Sequence, residues 1–334
     1  MKNLIECRNL AIGYKDKNEK EKILFPAIDV SLKEGELTAL VGPNGAGKTS
    51  LLKTISGNLS QLSGQIIIRN KDLKSYSAGD LAKIISIVLT DRILDQHIKV
   101  FDVVATGRYP YTGFWATLDQ QDRKMINMSM EMVGIESFNN RTFVTLSDGE
   151  RQKVMIAKAL AQDTPIILLD EPAAFLDYPS KIDLVHLLQS LVNNHKKTIL
   201  FSSHDLDLTL RTADRLWLVG AALPIKTGIP EQLVLDGFIE KYFVRHGLHF
   251  DPEKGQFIQP PAGNKNICLI AKGLKGIWLQ NALVRKGWSV NQNEDENIVI
   301  QLVNDEIIFR KDLKTESFEN IELLLNKLCQ NENS

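Results

Sequence analysis

The sequence predicts an α/β fold: a phosphate-loop core on a mostly parallel sheet, an inserted helical subdomain, and a small α/β extension at the C-terminal end. Three stretches point to it. A mostly apolar run, Leu37 to Val41, leads into Gly42-Pro43-Asn44-Gly45-Ala46-Gly47-Lys48-Thr49, and Ser50 to Ile55 reads as a helix leading out. That order of strand, loop and helix is the context in which G-x-x-x-x-G-K-[ST] cradles phosphate. A second apolar run, Ile166 to Leu169, ends on Asp170-Glu171, and a third, Thr198 to Ser202, ends at Ser203-His204-Asp205. Continuous apolar runs are what central parallel strands buried on both faces require, and open α/β sheets place their chemistry at the carboxyl ends of such strands.

A chain of 334 residues suits one large domain and a smaller one. The expected division is 3–262, with the helical subdomain at about 77–161, followed by 264–334; Pro260-Pro261-Ala262-Gly263-Asn264 is the linker candidate. A hydrophobic content of 43% and a charged content of 24% are those of a soluble globular protein. The net charge of −1 gives no general pull toward nucleic acid or anionic membrane. Cys7, Cys268 and Cys329 are too few and too scattered for a disulfide framework or a zinc site, which fits a reducing compartment. The start lacks the apolar core of a signal peptide, and no run approaches the roughly 18 apolar residues of a membrane span. A role in transport would therefore need a separate membrane partner.

Along the chain, 3–14 and 28–41 read as strand-rich, with a charged loop from Asp16 to Lys22 between them. Ser63 to Ile68 reads as a turn and strand, and Ile84 to Leu89 as a strand ending at Thr90-Asp91-Arg92. Asp119 is the expected N-cap of a helix with Asp122 in its first turn, and Met125, Met128 and Met132 on that helix read as core packing. Val154, Ile156, Ala157, Leu160 and Ala161 give a further helix its apolar face. Later come a strand at Arg215 to Val219 and a helix from Pro230 to Phe243. The tail reads as strand Ile267 to Ala271, helix Trp278 to Lys286, a hairpin about Asn304-Asp305, and a last helix from Ile321 to Leu328.

The loop Gly42, Pro43, Asn44, Gly45, Ala46, Gly47 can curl its backbone N–H groups toward phosphate oxygens, with the helix N-terminus behind it. Lys48 reaches the β- and γ-phosphates, the Thr49 hydroxyl can hold Mg²⁺, and Ser50 continues the nucleotide-binding stretch. Asp170 suits the Mg²⁺ shell, and Glu171 is placed to orient or deprotonate an attacking water. His204, at a neighbouring strand end, can hydrogen-bond the γ-phosphate and that water. Tyr14, just before the charged loop, can stack on an adenine ring or stand simply as a half-exposed strand end. Ser147-Asp148-Gly149 before a helix makes a second phosphate-facing N-terminus, with Glu150 completing a capping box. One chain has no evident need of two such cradles, and a head-to-tail dimer uses both. His246 and His249 lack the further ligands that a metal site needs.

Leu146 to Gln152 resembles the signature of the ATP-binding-cassette ATPases. The order also matches that family: Tyr14, phosphate loop, signature, Asp170-Glu171, Phe175-Leu176-Asp177, then His204. Gly107-Arg108-Tyr109-Pro110-Tyr111-Thr112-Gly113 is similar to a segment frequent in the subfamily serving importers of iron chelates, haem and cobalamin. The resemblance covers about residues 3 to 262. It implies an ATPase that uses ATP and Mg²⁺ in a homodimer, with Ser147 and Gly149 facing the partner's nucleotide. It also implies separate transmembrane permease subunits, a substrate-binding protein acting indirectly, and a place on the cytoplasmic face of the membrane. A soluble cassette ATPase acting on ribosomes or DNA is the alternative; those forms carry two cassettes, a coiled coil or a zinc module, and this chain has one cassette, no long heptad run and no Cys cluster. Two departures from the family pattern stand out. Thr90 occupies the place of a Gln that helps hold Mg²⁺, and its single short hydroxyl should not reach the metal directly. Beyond about residue 262 the common family pattern offers no counterpart.

Overall fold

The structure is a computed structural model that describes residues 2–15, 21–89, 97–113, 117–220, 223–243, 249–253, 255–258, 265–312 and 314–330. The chain divides into two compact units, Met1–Phe243 with Pro252–Gly255, and Val244–Asp251 with Gln256–Ser334. The second unit thus takes in residues before 262, while the linker candidate 260–264 lies outside the described residues.

The first unit opens with β1 (Asn3–Lys15), β2 (Glu21–Lys33) and β3 (Leu37–Val41), followed by α1 (Lys48–Ile55), β4 (Ser63–Ile68) and β5 (Lys71–Asp72). The stretch 28–41, expected to be strand-rich, holds the end of β2 and all of β3, with a turn at Glu34-Gly35 between them. Next come α2 (Ala78–Ala82), β6 (Ile85–Val88), α3 (Val100–Ala105), α4 (Gln120–Met132) and α5 (Asp148–Ala161). Then β7 (Ile166–Leu169), α6 (Tyr178–Asn193), β8 (Thr198–Ser203), α7 (Leu206–Thr212), β9 (Arg215–Leu218), β10 (Lys226–Gly228), α8 (Pro230–Leu235) and α9 (Phe238–Phe243) complete the unit. The single helix expected over 230–243 is two, interrupted at Asp236-Gly237.

Two sheets result. The order β2-β1-β4-β5 is antiparallel, and the order β10-β9-β3-β8-β7-β6 is parallel except for β10. Every residue of β3, β7 and β8 is buried, as strands covered on both faces must be. One apolar cluster joins β1, β4, α1 and the large sheet through Leu10, Ile12, Leu51, Ile55, Ile66 and Trp217. Helix α1 is therefore clamped at the carboxyl end of β3, which fixes where the phosphate loop can be.

Helices α3 to α5 pack on one another. On α4 the methionine stripe is only the margin of the core: Met125 and Met132 are half-buried and Met128 is 38% exposed, while Ile126, Met130 and Val133 are buried. Both sets have helical spacing, and the branched Ile126 and Val133 with Met130 win the interior. Asp119 is the N-cap as expected, and with Asp122 it forms a capping box. Asp122 also receives Arg108 Nε at 2.8 Å, and Arg108 NH1 donates to the Ala161 carbonyl oxygen at 2.8 Å. Arg108 and Asp122 are both 5% exposed, so this ion pair ties the turn after α3, the start of α4 and the end of α5 together inside the subdomain. Burial pushes the Asp122 carboxyl up, but the Arg108 hydrogen bond and charge and the Asp119 backbone N–H hold it below the usual carboxylate range.

In the second unit β11 (His249–Asp251) pairs with β12 (Gln256–Ile258). A further sheet is built from β13 (Lys265–Ile270), β14 (Trp288–Asn291), β15 (Ile298–Val303), β16 (Glu306–Lys311) and β17 (Lys314–Phe318), in the order β14-β13-β15-β16-β17. The helices α10 (Gly273–Arg285) and α11 (Ile321–Gln330) share a core with it, in which Ile267, Leu279, Leu283, Ile300, Ile307 and Leu324 are fully buried. The hairpin turn at Asn304-Asp305 forms as expected, with both residues at positive φ. Helix α10 begins at Gly273 rather than Trp278, and β14 and β17 were not expected.

Arg108→Ala leaves a charged Asp122 buried without its partner and should cost about 3–5 kcal/mol, read from the urea midpoint of the full chain. Because the folded Asp122 value is depressed, its contribution is whole above the unfolded carboxyl value of about 3.9 and is lost as pH falls through the lower folded value. An unchanged midpoint in Arg108→Ala would remove the pair from the list of stabilising contacts.

Candidate functional site

The phosphate loop is shaped by close approach as much as by turn chemistry. A Cβ on Gly42 would lie 2.5 Å from the Val219 carbonyl oxygen, so only glycine lets β3 leave the sheet there. Gly47 sits at φ 91° and ψ 13°, in the left-handed region, at the head of α1 and with no side-chain cap. The first-turn N–H groups of α1 thus remain without a side-chain acceptor from that residue. Ala46 N–H closes the loop on the Pro43 carbonyl oxygen at 3.3 Å.

Lys48 follows, 5% exposed, with Nζ donating to the Gly42 and Pro43 carbonyl oxygens at 2.9 and 3.2 Å. The same ammonium is 3.4 Å from Glu171 Oε1. Thr49 Oγ1 donates to Asp170 Oδ2 at 2.8 Å, and Ser202 Oγ donates to Asp170 Oδ1 at 2.7 Å. The Glu171 N–H in turn donates to Ser202 Oγ at 2.7 Å. Glu171 takes φ +46°, sparsely populated for a side chain of this kind, and that Ser202 bond holds its backbone. Its other carboxylate oxygen, Oε2, lies 3.5 Å from His204 Nδ1. The ends of β3, β7 and β8 thus bring Lys48, Thr49, Asp170, Glu171 and His204 together.

A cavity of about 420 Å³ lies over this group, lined by Tyr14, Asn44, Gly45, Gly47, Lys48, Thr49, Ser50, Asp170 and Glu171. Tyr14 is 46% exposed at its edge, and its hydroxyl shares a hydrogen bond with Ser50 Oγ. The adjacent Thr49 hydroxyl and Asp170 carboxylate are a hard oxygen pair, which suits Mg²⁺ rather than a soft metal. Among the described residues there is no group of three or more His, Cys, Asp or Glu arranged for a metal; His249 is in β11, and His246 lies outside the described residues.

Ser147 and Gly149 are elsewhere. They line a separate cavity of about 150 Å³ with Leu176 and Ser180, at the head of α5. Ser147 and Glu150 form the expected capping box, with Ser147 N–H donating to Glu150 Oε2 at 2.8 Å. That bond, against the effect of burial and helped by Arg141, keeps the Glu150 carboxyl below its usual range. Phe175, 83% exposed, and Asp177, the N-cap of α6, follow Glu171. Tyr109 is 60% exposed, while the Tyr111 hydroxyl donates to the Gln162 carbonyl oxygen at 3.1 Å. Thr90 and Asp91 lie outside the described residues.

Two contributors had no sequence signal strong enough to find them. Ser202 was legible only as the last residue of an apolar run. Lys181, on α6, pairs with Asp205 at 2.9 Å beside His204, and nothing in its spacing announces that.

Comparison with known proteins agrees with the geometry. Residues 25–174 match the family described as ABC transporter. Residues 264–329 match the iron ABC transporter C-terminal domain, so the tail, expected to have no counterpart in the common cassette pattern, is matched by a domain of its own. An uncharacterized ABC transporter ATP-binding protein of Methanocaldococcus jannaschii is 35% identical over 289 residues, covering 86% of this chain and 98% of its own. The iron(3+)-hydroxamate import ATP-binding protein FhuC of Bacillus subtilis is 30% identical over 267 residues, covering 80% and 94%. A solved dimeric structure of a bacterial ABC transporter cassette is similar with a TM-score of 0.59 at 26% identity, covering 68% of this chain and 98% of that one. With its phosphate loop, strand-end acids and tail matched in one chain, the protein belongs to the ABC transporter family as an ATP-binding subunit and ATPase.

Proposed function

We propose that the chain powers an importer of an iron chelate, haem or cobalamin, as a homodimer on the cytoplasmic face of the membrane. The observation that carries the catalytic part is the relay Thr49–Asp170–Ser202–Glu171 beneath Lys48. The cargo class rests on the match of 264–329 to the iron ABC transporter C-terminal domain and on relatives named for iron(3+)-hydroxamate and cobalamin import. No helix among the described residues is long and apolar enough to cross a membrane, which supports separate permease subunits. A substrate-binding protein would act through those subunits and not on this chain.

In this reading ATP lies in the cavity beneath Tyr14, its phosphates on the loop Gly42 to Gly47 and its adenine against the Tyr14 ring. Phosphate oxygens compete with Glu171 for the Lys48 ammonium, and the carboxylate is released as Lys48 turns to the nucleotide. Thr49 and Asp170 would hold a Mg²⁺ ion, which offsets charge on the phosphate oxygens. Glu171 takes a proton from a water as its oxygen attacks the γ-phosphorus, and the bond to the bridging oxygen breaks to leave ADP and phosphate. His204 donates to the γ-phosphate and orients the water. Ser147 and Gly149, which line a different cavity, close on the nucleotide of the partner copy. ATP then drives closure because the closed dimer binds it more tightly than the open form.

Glu171→Gln should keep ATP affinity while lowering turnover by about 10²-fold or more, and Lys48→Ala should lose affinity itself. Nucleotide binding by fluorescence and phosphate release separate the two, and normal turnover in Glu171→Gln would sink the assignment. Stimulation of ATP hydrolysis by a reconstituted permease loaded with an iron hydroxamate, haem or cobalamin tests the cargo class.

Ser202→Ala removes one bond to Asp170 and leaves the Glu171 N–H without its acceptor. The Mg²⁺ concentration for half-maximal hydrolysis should rise by about 10-fold or more. If only the melting temperature falls and the Mg²⁺ dependence stays, the relay has no part in metal binding. Truncation after Gly263 should leave basal hydrolysis largely intact, because the tail holds none of the site residues; loss of nucleotide binding would place it within the catalytic core.

A further inference from the structure

Helix α10 carries an apolar stripe on its solvent side. Leu274 is 74% exposed, Ile277 55% and Trp278 60%, whereas Leu279, Ala282 and Leu283 on the other side are buried. The spacing i, i+3, i+4 puts the three on one side of the helix, and Asn281 continues it. A scattered exposed Leu is ordinary, but three neighbours that include a Trp mark a contact surface.

The two ends of the helix carry opposite charge. Lys275 donates to the carbonyl oxygens of Asp305 and Glu319, which brings those exposed acids to the N-terminal end of α10. Glu322, in the first turn of α11, makes a third acid, and Lys272 with the Lys275 ammonium offsets only part of their charge. At the C-terminal end Arg285 and Lys286 are both exposed.

We propose that Leu274, Ile277 and Trp278 form the seam of a two-fold contact between the tails of two copies of this chain, α10 packing antiparallel on α10. A two-fold sets the same patch on both sides. The antiparallel direction puts the acidic end of one helix beside the basic end of the other and opposes the two helix dipoles. A parallel pairing would stack like charges, and an anionic lipid surface would meet the acids at the head of the stripe. Three side chains fall well short of the roughly 1,200–2,000 Å² that a free-standing interface buries. The contact is therefore too weak to hold a lasting dimer: in the free chain it forms transiently, where a crosslinker can trap it, and it tightens when another interface holds the copies together. It needs no nucleotide.

The test uses the full chain without nucleotide, carrying Cys329→Ser to remove the exposed thiol; Cys7 and Cys268 are buried. Asn281→Cys in that background should be joined to a second copy by a short bis-maleimide, in higher yield than Lys314→Cys on β17. Adding Trp278→Lys should cut the yield by about tenfold or more. Trp278 is mostly exposed, so circular dichroism and basal ATP hydrolysis of that variant should match the parent. The Lys48→Ala chain should crosslink like the parent, which keeps failure of the stripe separate from failure of the ATP reading. Equal yields at the two cysteine positions, or no loss with Trp278→Lys, would overturn the proposal. So would Trp278-dependent pelleting with phosphatidylglycerol vesicles in the absence of crosslinking, which assigns the stripe to lipid.

Discussion

Asp170 accepts a hydrogen bond on each carboxylate oxygen, from Thr49 on α1 and from Ser202 on β8, and the rest of the site is arranged about those two bonds. The carboxylate is 3% exposed, so bonds to it are charge-assisted and worth about 1.5–3 kcal/mol each. They fasten the first turn after the phosphate loop to the ends of two neighbouring strands. Ser202 uses its remaining capacity to accept from the Glu171 N–H, and through it the left-handed backbone at Glu171 is held against its own preference. Lys48 and His204 can then reach the two oxygens of the Glu171 side chain. A carboxylate with one free oxygen would leave β8 unlinked to the loop.

How much of this the sequence disclosed follows from what each residue has to satisfy. Strands β3, β7 and β8 are buried at every position, so their runs are apolar throughout and are easily read. The phosphate loop is legible because Gly42 and Gly47 stand where steric approach and positive φ forbid side chains. Ser202 was missed because a serine at a strand end looks the same whether it bridges two groups or faces water. The methionines of α4 misled because two stripes share one period, and only packing decides between them. In the tail, β14 spans only Trp288–Asn291 and β17 reads Lys-Thr-Glu-Ser-Phe, so neither has enough apolar alternation to outweigh a loop. Gly273 opens α10 from a position where glycine usually argues against helix.

The two units reach stability by different means. The first buries Trp217 and a broad aliphatic cluster between its sheets and α1. The second relies on its five-stranded sheet with α10 and α11 sharing a core of Ile, Leu, Phe and Trp. A unit of that size has little apolar surface to spare, which makes an uncovered Trp on α10 harder to explain as an accident of packing.

Arg108 fixes the far end of α5, at Ala161, while Ser147 and Gly149 sit at the near end of the same helix. A helix of 14 residues is about 21 Å long at 1.5 Å per residue. Anchored at one end, it acts as a lever arm: a tilt of about 6° there sweeps the other end through about 2 Å, enough to make or break a hydrogen bond. The buried guanidinium would thus serve as a fulcrum, and a small rotation of α5 about it would change the reach of Ser147 and Gly149 at the other end.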